Sequence, residues 1–458
     1  MPTQTTSSGT SPFATGDADE DGAELPALPA PRTIEATGIR TALIDDIAIK
    51  TIARDRQVTT PGLAEALALS QPVVDDVFAR LRKAQLVEVL GMSGTAYRMS
   101  LTSSGKARAD DLMATNQYVG PVPVSLEAYA ESVRLQSIAS ARVRPEAVRR
   151  AFAGLVLGDD VVRQIGIGVA SGMPIMLYGP SGTGKTSIAE RIPLVFQGGV
   201  FIPHALEVNG EIIRIFDPGV HRVYPGAVSA QHDRRWVYCD RPFVIAGGEL
   251  TAESLDLQYN AVSGFYTAPP QVKANTGVFV IDDFGRQRMR PEELLNRWVV
   301  PLDRGVDHLT LHGGAKFTVP FAVLVVFATN LDPAGGFVGD AGLALSDAVF
   351  LRRIPNKVHI GHASRDQFHE ISRRACADAG LSYDSALVDR LIELLSSHVK
   401  EPLRPCIPRD LVRQITWESR YEGRPPVLNS ASMARACRAY FAATPVGSPF
   451  GGDGPESA

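Results

Sequence analysis

The sequence is poor in cysteine, in long apolar runs and in net charge, and each shortage closes off a class of protein. Its four cysteines among 458 residues are Cys239, Cys376, Cys406 and Cys437, and none stands at a paired spacing. That argues against a disulfide framework or a zinc site and reads as reduced thiols of a cytoplasmic protein. The longest apolar run is ten residues, Val319 to Ala328, and it contains Pro320. A membrane-spanning helix needs about twenty, so no membrane partner is expected. Residues 1–32 lack the basic-then-apolar layout of a secretory signal. With 46 basic and 50 acidic residues the net charge is −4. Nothing in that balance drives binding to bulk nucleic acid or anionic membranes. Gly (41) and Pro (32) follow no strict period, which excludes collagen. A chain with 45% hydrophobic and 21% charged residues has an ordinary globular composition. It is long enough to bury large cores without staples and to hold about three domains.

The pattern along the chain divides it. Residues 1–37 are polar, acidic and Pro-rich, and 444–458 are similar. Both read as disordered tails, because they cannot bury enough surface to offset their ordering entropy. Residues 38–115 carry three helical patterns and a hairpin. Ile44, Ile47 and Ile52 mark the first helix. Thr59-Thr60-Pro61 caps a second that ends at Leu67. Ser70 opens a third with Val73, Val77 and Leu81, and two strands follow around Gly91 and Gly94. A last helix starts near Ser103. That order is the order of a winged helix domain. Residues 116–150 read as a linker with helices over Ser125 to Ile138 and from Pro145 to Phe152. Residues 151–362 hold apolar runs such as PIMLYG, GVFVIDD and AVLVVFATN. Continuous apolar strands are buried on both faces, as in a parallel sheet covered by helices. Residues 363–443 are helical, with Leu387, Leu391, Leu394 and Leu395 at helical spacing. The fold class expected is therefore α/β, a parallel-sheet sandwich with a C-terminal helical lid.

Chemistry concentrates in that α/β region. Gly179-Pro180-Ser181-Gly182-Thr183-Gly184-Lys185-Thr186 matches G-x-x-x-x-G-K-[ST] in full. It follows an apolar strand and precedes a short helical stretch, Ser187 to Ile192, the context a P-loop requires. Glycines let backbone N–H groups turn inward around a phosphate, and the helix start adds positive partial charge. Lys185 would reach the β/γ-phosphates and the Thr186 hydroxyl would ligate Mg²⁺. Val278 to Asp283 puts Asp282 at the end of a buried strand, where it would hold Mg²⁺ through water. Asp283 would polarise the attacking water. Val323 to Asn330 delivers Asn330 to a strand end, where an amide could orient that water. Arg352 and Arg353 could reach a neighbouring subunit's nucleotide, since guanidinium meets phosphate bidentately. Arg409, at a helix start in the C-terminal region, could touch the bound nucleotide.

These five elements in this order resemble the AAA+ ATPases, over about Arg144 to Tyr440. The resemblance implies an ATP hydrolase with ATP and Mg²⁺ as its ligands. It implies Walker A at Gly179 to Thr186 with Ser187 adjoining, and Walker B at Asp282 and Asp283. It implies sensor 1 at Asn330, an arginine finger at Arg353 or Arg352, and sensor 2 at Arg409. Val156-Leu157-Gly158 looks like the segment lining the adenine pocket, and the family implies a homo-oligomeric, hexameric ring. Two departures stand out. Asp283 occupies the place where the family usually has Glu, which puts fast hydrolysis in doubt. Lys185 and Asp282 lie 97 positions apart, longer than usual. The added sequence, Val200 to Gly248, reads as β-rich, with a hairpin over Glu207 to Phe216 turning at Asn209-Gly210. Ser263 to Tyr266 is either a pore-facing aromatic loop or a locally packed segment.

The function expected is ATP-driven remodelling of a protein partner. One alternative is a DNA-binding ATPase that uses the winged helix, and another is a slow ATP-dependent switch. Residues 41–115 carry nine basic and nine acidic side chains. A DNA-reading module needs a basic excess for its phosphate contacts, and Asp75 and Asp76 sit near the start of the candidate recognition helix. This disfavours nucleic acid as the partner.

Overall fold

The computed structural model describes residues 28–94, 96–225, 231–333 and 351–441. The tails expected at residues 1–27 and 444–458 lie outside them. Residues 28–37, counted with the first tail, are packed: Ile34 is buried, and Pro29 bridges to His232.

The first unit contains α1 (Thr41–Asp55), α2 (Thr60–Leu67), α3 (Gln71–Lys83) and α4 (Ser103–Thr115). Strands β1 (Val58–Thr59), β2 (Val87–Ser93) and β3 (Ala96–Leu101) form an antiparallel sheet in the order β1-β3-β2. The Thr59 hydroxyl accepts from the Gly62 N–H, and Pro61 stands in the first turn of α2. Such a cap contributes about 1 kcal/mol. Ile44, Ile47, Leu63, Val77 and Met99 form the core, and Ala205 and Ile212 from far along the chain join it.

The segment read as a linker is built into the fold. Strand β4 (Val124–Ser125) pairs in parallel with β7 (Ala205–Val208), and α5 (Leu126–Leu135) follows it. α6 (Pro145–Phe152) and α7 (Asp159–Ser171) then lead to β5 (Ile175–Tyr178) and α8 (Lys185–Ala189). Beyond the phosphate loop, β6 (Val200–Pro203) pairs with β9 (Trp236–Cys239). β7 and β8 (Glu211–Arg214) form a hairpin whose turn, Asn209-Gly210, has φ of +53° and +90°. Both positions are left-handed, the geometry that matches strand twist in a two-residue hairpin. With β11 (Gln258–Asn260) and β12 (Phe265–Thr267) these strands make a sheet in the order β11-β12-β8-β7-β4.

Two arginines weld this insert to the first unit. Arg234 donates to the carbonyls of Ala64 and Leu69. Arg235 is buried with Asp233 and donates to the carbonyls of Thr37 and Pro123. The first unit is therefore no tethered bead. The candidate pore aromatic segment is packed too: Phe265 meets Tyr118 edge-on at 5.7 Å, and Tyr266 is buried.

The central sheet is parallel throughout. Its order is β10 (Phe243–Ala246), β13 (Val278–Ile281), β16 (Leu324–Thr329), β5 and β17 (Asn356–His359). Side chains alternate along a strand, so each continuous apolar run splits between two faces. Val278, Val280, Leu324 and Val326 pack under Val148, Ile165 and Ile188. Phe279, Ile281, Val325 and Phe327 pack against Leu294 and Trp298 of α10 (Pro291–Arg304). A short α9 (Pro270–Lys273) precedes β13, and β14 (Val306–Thr310) pairs with β15 (Lys316–Pro320) before β16. The C-terminal lid is α11 (Arg365–Asp378), α12 (Ser385–Glu393), α13 (Cys406–Tyr421) and α14 (Ser430–Tyr440), around Phe368, Leu391, Leu411 and Ile415. Reciprocal capping boxes start α11, from Ser364 and Gln367, and α14, from Asn429 and Ser432. No helix among the described residues is long and apolar enough to cross a membrane.

Candidate nucleotide site

β5, β13 and β16 end at the same edge of the sheet, and the loops leaving them meet there. After Tyr178 the chain turns through Gly179, Gly182 and Gly184 with φ of +139°, +77° and +91°. A Cβ at Gly179 would lie 2.3 Å from the Ile360 carbonyl oxygen, so only glycine fits between the loop and β17. The helix that follows is Lys185–Ala189, with a separate 3₁₀ turn at Ile192–Val195. It is shorter than the sequence pattern suggests because Pro193 removes a backbone donor.

Lys185 Nζ donates to the carbonyls of Gly179 (2.9 Å) and Pro180 (2.8 Å) and to Asn330 Oδ1 (2.7 Å). Burial lowers its pKa to about 8, against the opposing pull of Asp283 and Asp282. Thr186 Oγ1 donates to the Asp282 carboxylate at 2.9 and 3.1 Å. The Asp283 N–H donates to Asp282 Oδ1 at 3.0 Å. Asp283 is exposed and stands at φ +48°, a left-handed geometry that Asp tolerates better than most side chains. The turn is held from behind by Gln287, a residue the sequence motifs do not reveal. Its Nε2 donates to the Asp282 carbonyl (2.7 Å) and its Oε1 accepts from Gly285 N–H (2.8 Å). Thr329 Oγ1 donates to the Phe284 carbonyl (2.8 Å), tying this turn to the strand end that presents Asn330.

A cleft of about 730 Å³ opens in front of these groups. Its walls include Ser181, Gly182, Thr183, Gly184, Lys185, Thr186, Ser187, Asp282, Asp283 and Asn330. Val156, Leu157 and Gly158 line it as well, and so does Arg409 from α13. Residues from five separated stretches are thus gathered around one volume. The lid supplies further walls, Gln367, Ile371, Arg374 and Cys406. No local motif marks them, because they become neighbours only when the lid folds back. The Cys406 N–H donates to the Gly182 carbonyl, and the Arg374 guanidinium to the Ala153 carbonyl.

Hard oxygen donors suit Mg²⁺, which keeps several waters and takes few protein ligands. Thr186 Oγ1 and the Asp282 carboxylate face each other in the cleft and fit that requirement. Arg352 and Arg353 do not line it. Arg353 forms a two-pronged ion pair with Asp303 of α10, Nε to Oδ1 and Nη2 to Oδ2, both 2.8 Å. Arg352 is exposed beside it.

Residues 364–439, the span of the lid, match a family described as a domain of unknown function (DUF8689). No curated protein matches the chain. Among solved structures, the chain is similar to NtrX from Brucella abortus in complex with ATP. That match has 17% identity and a TM-score of 0.37, over 60% of this chain and 54% of that one. Another is NtrX from the same organism in complex with ADP, with 16% identity and a TM-score of 0.38, over 66% and 59% of the two chains. The chain thus spans less than two thirds of either NtrX chain. A third is RuvB, the Holliday junction branch migration motor of Thermotoga maritima. It shows 15% identity and a TM-score of 0.33, over 62% and 70% of the two chains.

Proposed function

We propose that this chain is a Mg²⁺-dependent ATP hydrolase of the AAA+ type, working as a homo-oligomeric ring that remodels a protein partner. The observation that carries the reading is the convergence of Lys185, Thr186, Asp282 and Asn330 at the ends of three adjacent parallel strands, facing a cleft of nucleotide size. Lys185 would hold the β/γ-phosphates. Bound Mg²⁺, reached by Thr186 and Asp282, would neutralise charge developing on the phosphoryl oxygens. Asp283 would accept the proton of the attacking water and Asn330 would orient it. Val156 to Gly158 would bound the base, and Arg409 would carry the nucleotide state into α13.

The ring supplies the missing cation. Arg353 is committed to Asp303 within its own chain, which leaves the exposed Arg352 as the guanidinium to reach a neighbour's γ-phosphate. The first unit is read as a winged helix domain that contacts protein. Four of its nine basic side chains are engaged: Arg80 pairs with Asp45, Arg108 with Asp46 and Arg54 with Asp55, and Lys50 is buried. The nine acidic side chains of residues 41–115 balance the nine basic ones, which leaves no basic excess for DNA phosphates.

Steady-state phosphate release and calorimetric ATP titration of the purified chain test the reading. Mg²⁺-dependent turnover that rises with protein concentration supports a ring ATPase. Tight ATP binding with no turnover at any concentration favours the switch, for which the short, left-handed Asp283 is the specific support. Absence of nucleotide binding would remove both.

A further inference from the structure

The walls of the nucleotide cleft divide by chemistry. Lys185, Thr186, Asp282 and Asn330 belong to its polar part. Leu155, Val156, Leu157 and Val161 line an apolar part, and the lid helix α11 adds Gln367, Ile371 and Ala375. Those three lid positions stand four residues apart, so they share one stripe of the helix. The stripe is apolar except at its N-terminal end, where Gln367 is half-buried. The direction of that amide is fixed. Gln367 Oε1 accepts from the Ser364 N–H at 2.9 Å, as a capping box requires. A backbone N–H needs an oxygen there, so the amide cannot be turned over. The amide nitrogen is left toward the opposite wall: Nε2 lies 3.9 Å from the place a Cβ on Gly158 would take. Nε2 has no hydrogen-bond partner among the described residues. The same helix is tied to the chain just before that wall. Arg374 Nη1 donates to the Ala153 carbonyl at 2.9 Å, and its Nε donates to Glu370 at 2.7 Å.

We propose that Gln367 reads the nucleobase, donating from Nε2 to the unprotonated ring nitrogen N1 of adenine. It would thereby select ATP over nucleotides whose base carries N1–H. The inference rests on the nucleotide reading and names the residue that chooses the base. The base is the flat and least polar part of a nucleotide, so it belongs between the apolar walls while Lys185 holds the phosphates. The sugar at N9 must run toward Lys185, which turns the opposite, N1 edge of the base away from the phosphates. Gly158 has no side chain, so a ring edge can approach beside the amide. A donor of fixed direction then discriminates. Adenine offers an acceptor at N1, whereas guanine and hypoxanthine carry a donor there. Two donors facing one another leave both unpaired in a partly desolvated site. The hydrogen bond that starts α11 is thus also the one that decides which end of the amide meets the base.

The test is calorimetric titration of the full chain, with Mg²⁺ present, against ATP, inosine triphosphate, 1-deaza-ATP and 7-deaza-ATP. The wild type should bind ATP about tenfold more tightly than inosine triphosphate or 1-deaza-ATP. It should bind 7-deaza-ATP as well as ATP. Gln367→Glu keeps an oxygen for the Ser364 N–H, since Glu also completes a capping box, and replaces the donor by an acceptor. Its preference for ATP over inosine triphosphate should fall at least tenfold, with the melting temperature unchanged. Gln367→Met removes both roles. It should melt lower through the lost cap and bind ATP and 1-deaza-ATP alike. A merely structural role would lower every affinity together and leave the ratios as in the wild type, and that result would overturn the proposal. Equal wild-type affinity for ATP and inosine triphosphate would overturn it too, as would a loss with 7-deaza-ATP in place of 1-deaza-ATP. The nucleotide reading fails separately: a wild-type chain that binds none of the four ligands overturns that reading and this inference with it.

Discussion

Lys185 Nζ and Asn330 Oδ1 lie 2.7 Å apart although 145 positions separate them. The contact exists because β5 and β16 are neighbours in register, with Tyr178 opposite Thr329. One strand end presents the phosphate-binding cation and the next presents the amide. Replacing either should separate binding from chemistry. Lys185→Ala should weaken ATP binding by about a hundredfold, the worth of two or so charge-assisted hydrogen bonds. Asn330→Ala should leave calorimetric affinity within a few-fold and lower turnover by about ten- to a hundredfold. Equal losses in affinity and turnover for Asn330→Ala would remove it from the chemical step.

Protonation of Lys185 should be visible in binding. Its pKa is lowered to about 8 by burial, and a bound polyphosphate stabilises the charged form and raises it. Between these values the free site is partly neutral and the bound site charged, so ATP binding takes up protons. Calorimetry near pH 8.5 in buffers of different ionisation enthalpy should show uptake approaching one proton. Lys185→Arg, charged throughout, should show none. For stability the sign follows from the lowered folded pKa. The unfolded chain holds more protons between about 8 and the ordinary lysine value, so this group's contribution rises as pH climbs through that window.

The paired arginines should behave differently. Arg353→Ala breaks the ion pair to Asp303 and should lower the melting temperature. Arg352→Ala should leave melting and ATP affinity unchanged and abolish turnover. Turnover retained in Arg352→Ala but lost in a stably folded Arg353→Ala would reverse the assignment.

Asp283 sets a prediction about rate. Its left-handed φ of +48° suits Asp. Asp283→Asn should remove turnover while keeping ATP bound. Asp283→Glu adds reach at a modest backbone cost, and phosphate release faster than wild type would identify side-chain length as the limit on hydrolysis.

Arg235 and Asp233 test the weld between the first unit and the insert. Both are buried. Arg235→Met leaves Asp233 buried without its partner, which costs about 3–5 kcal/mol. Adding Asp233→Asn should recover part of that loss in chemical denaturation. A change below about 1 kcal/mol in the single variant would show the contact to be open to water.

The sequence by itself determined the local elements and the chemistry each could carry. Thr59 and Pro61 set the start of α2, Asn209-Gly210 the β7–β8 turn, and the glycines around Lys185 the phosphate loop. These are short-range properties, decided by φ preference, capping and side-chain alternation. The tertiary structure alone decided which distant groups meet. It brought Gln367, Arg374 and Cys406 from the lid to the cleft, put Gln287 behind Asp282, and committed Arg353 to Asp303. It also built residues 116–150, legible as a linker with two helices, into the fold by pairing β4 in parallel with β7 of the insert sheet. It packed Phe265 against Tyr118, where a motif alone left a pore loop open. Strand order and lid closure are long-range choices made by burying two faces of one sheet, and no local window of sequence encodes them.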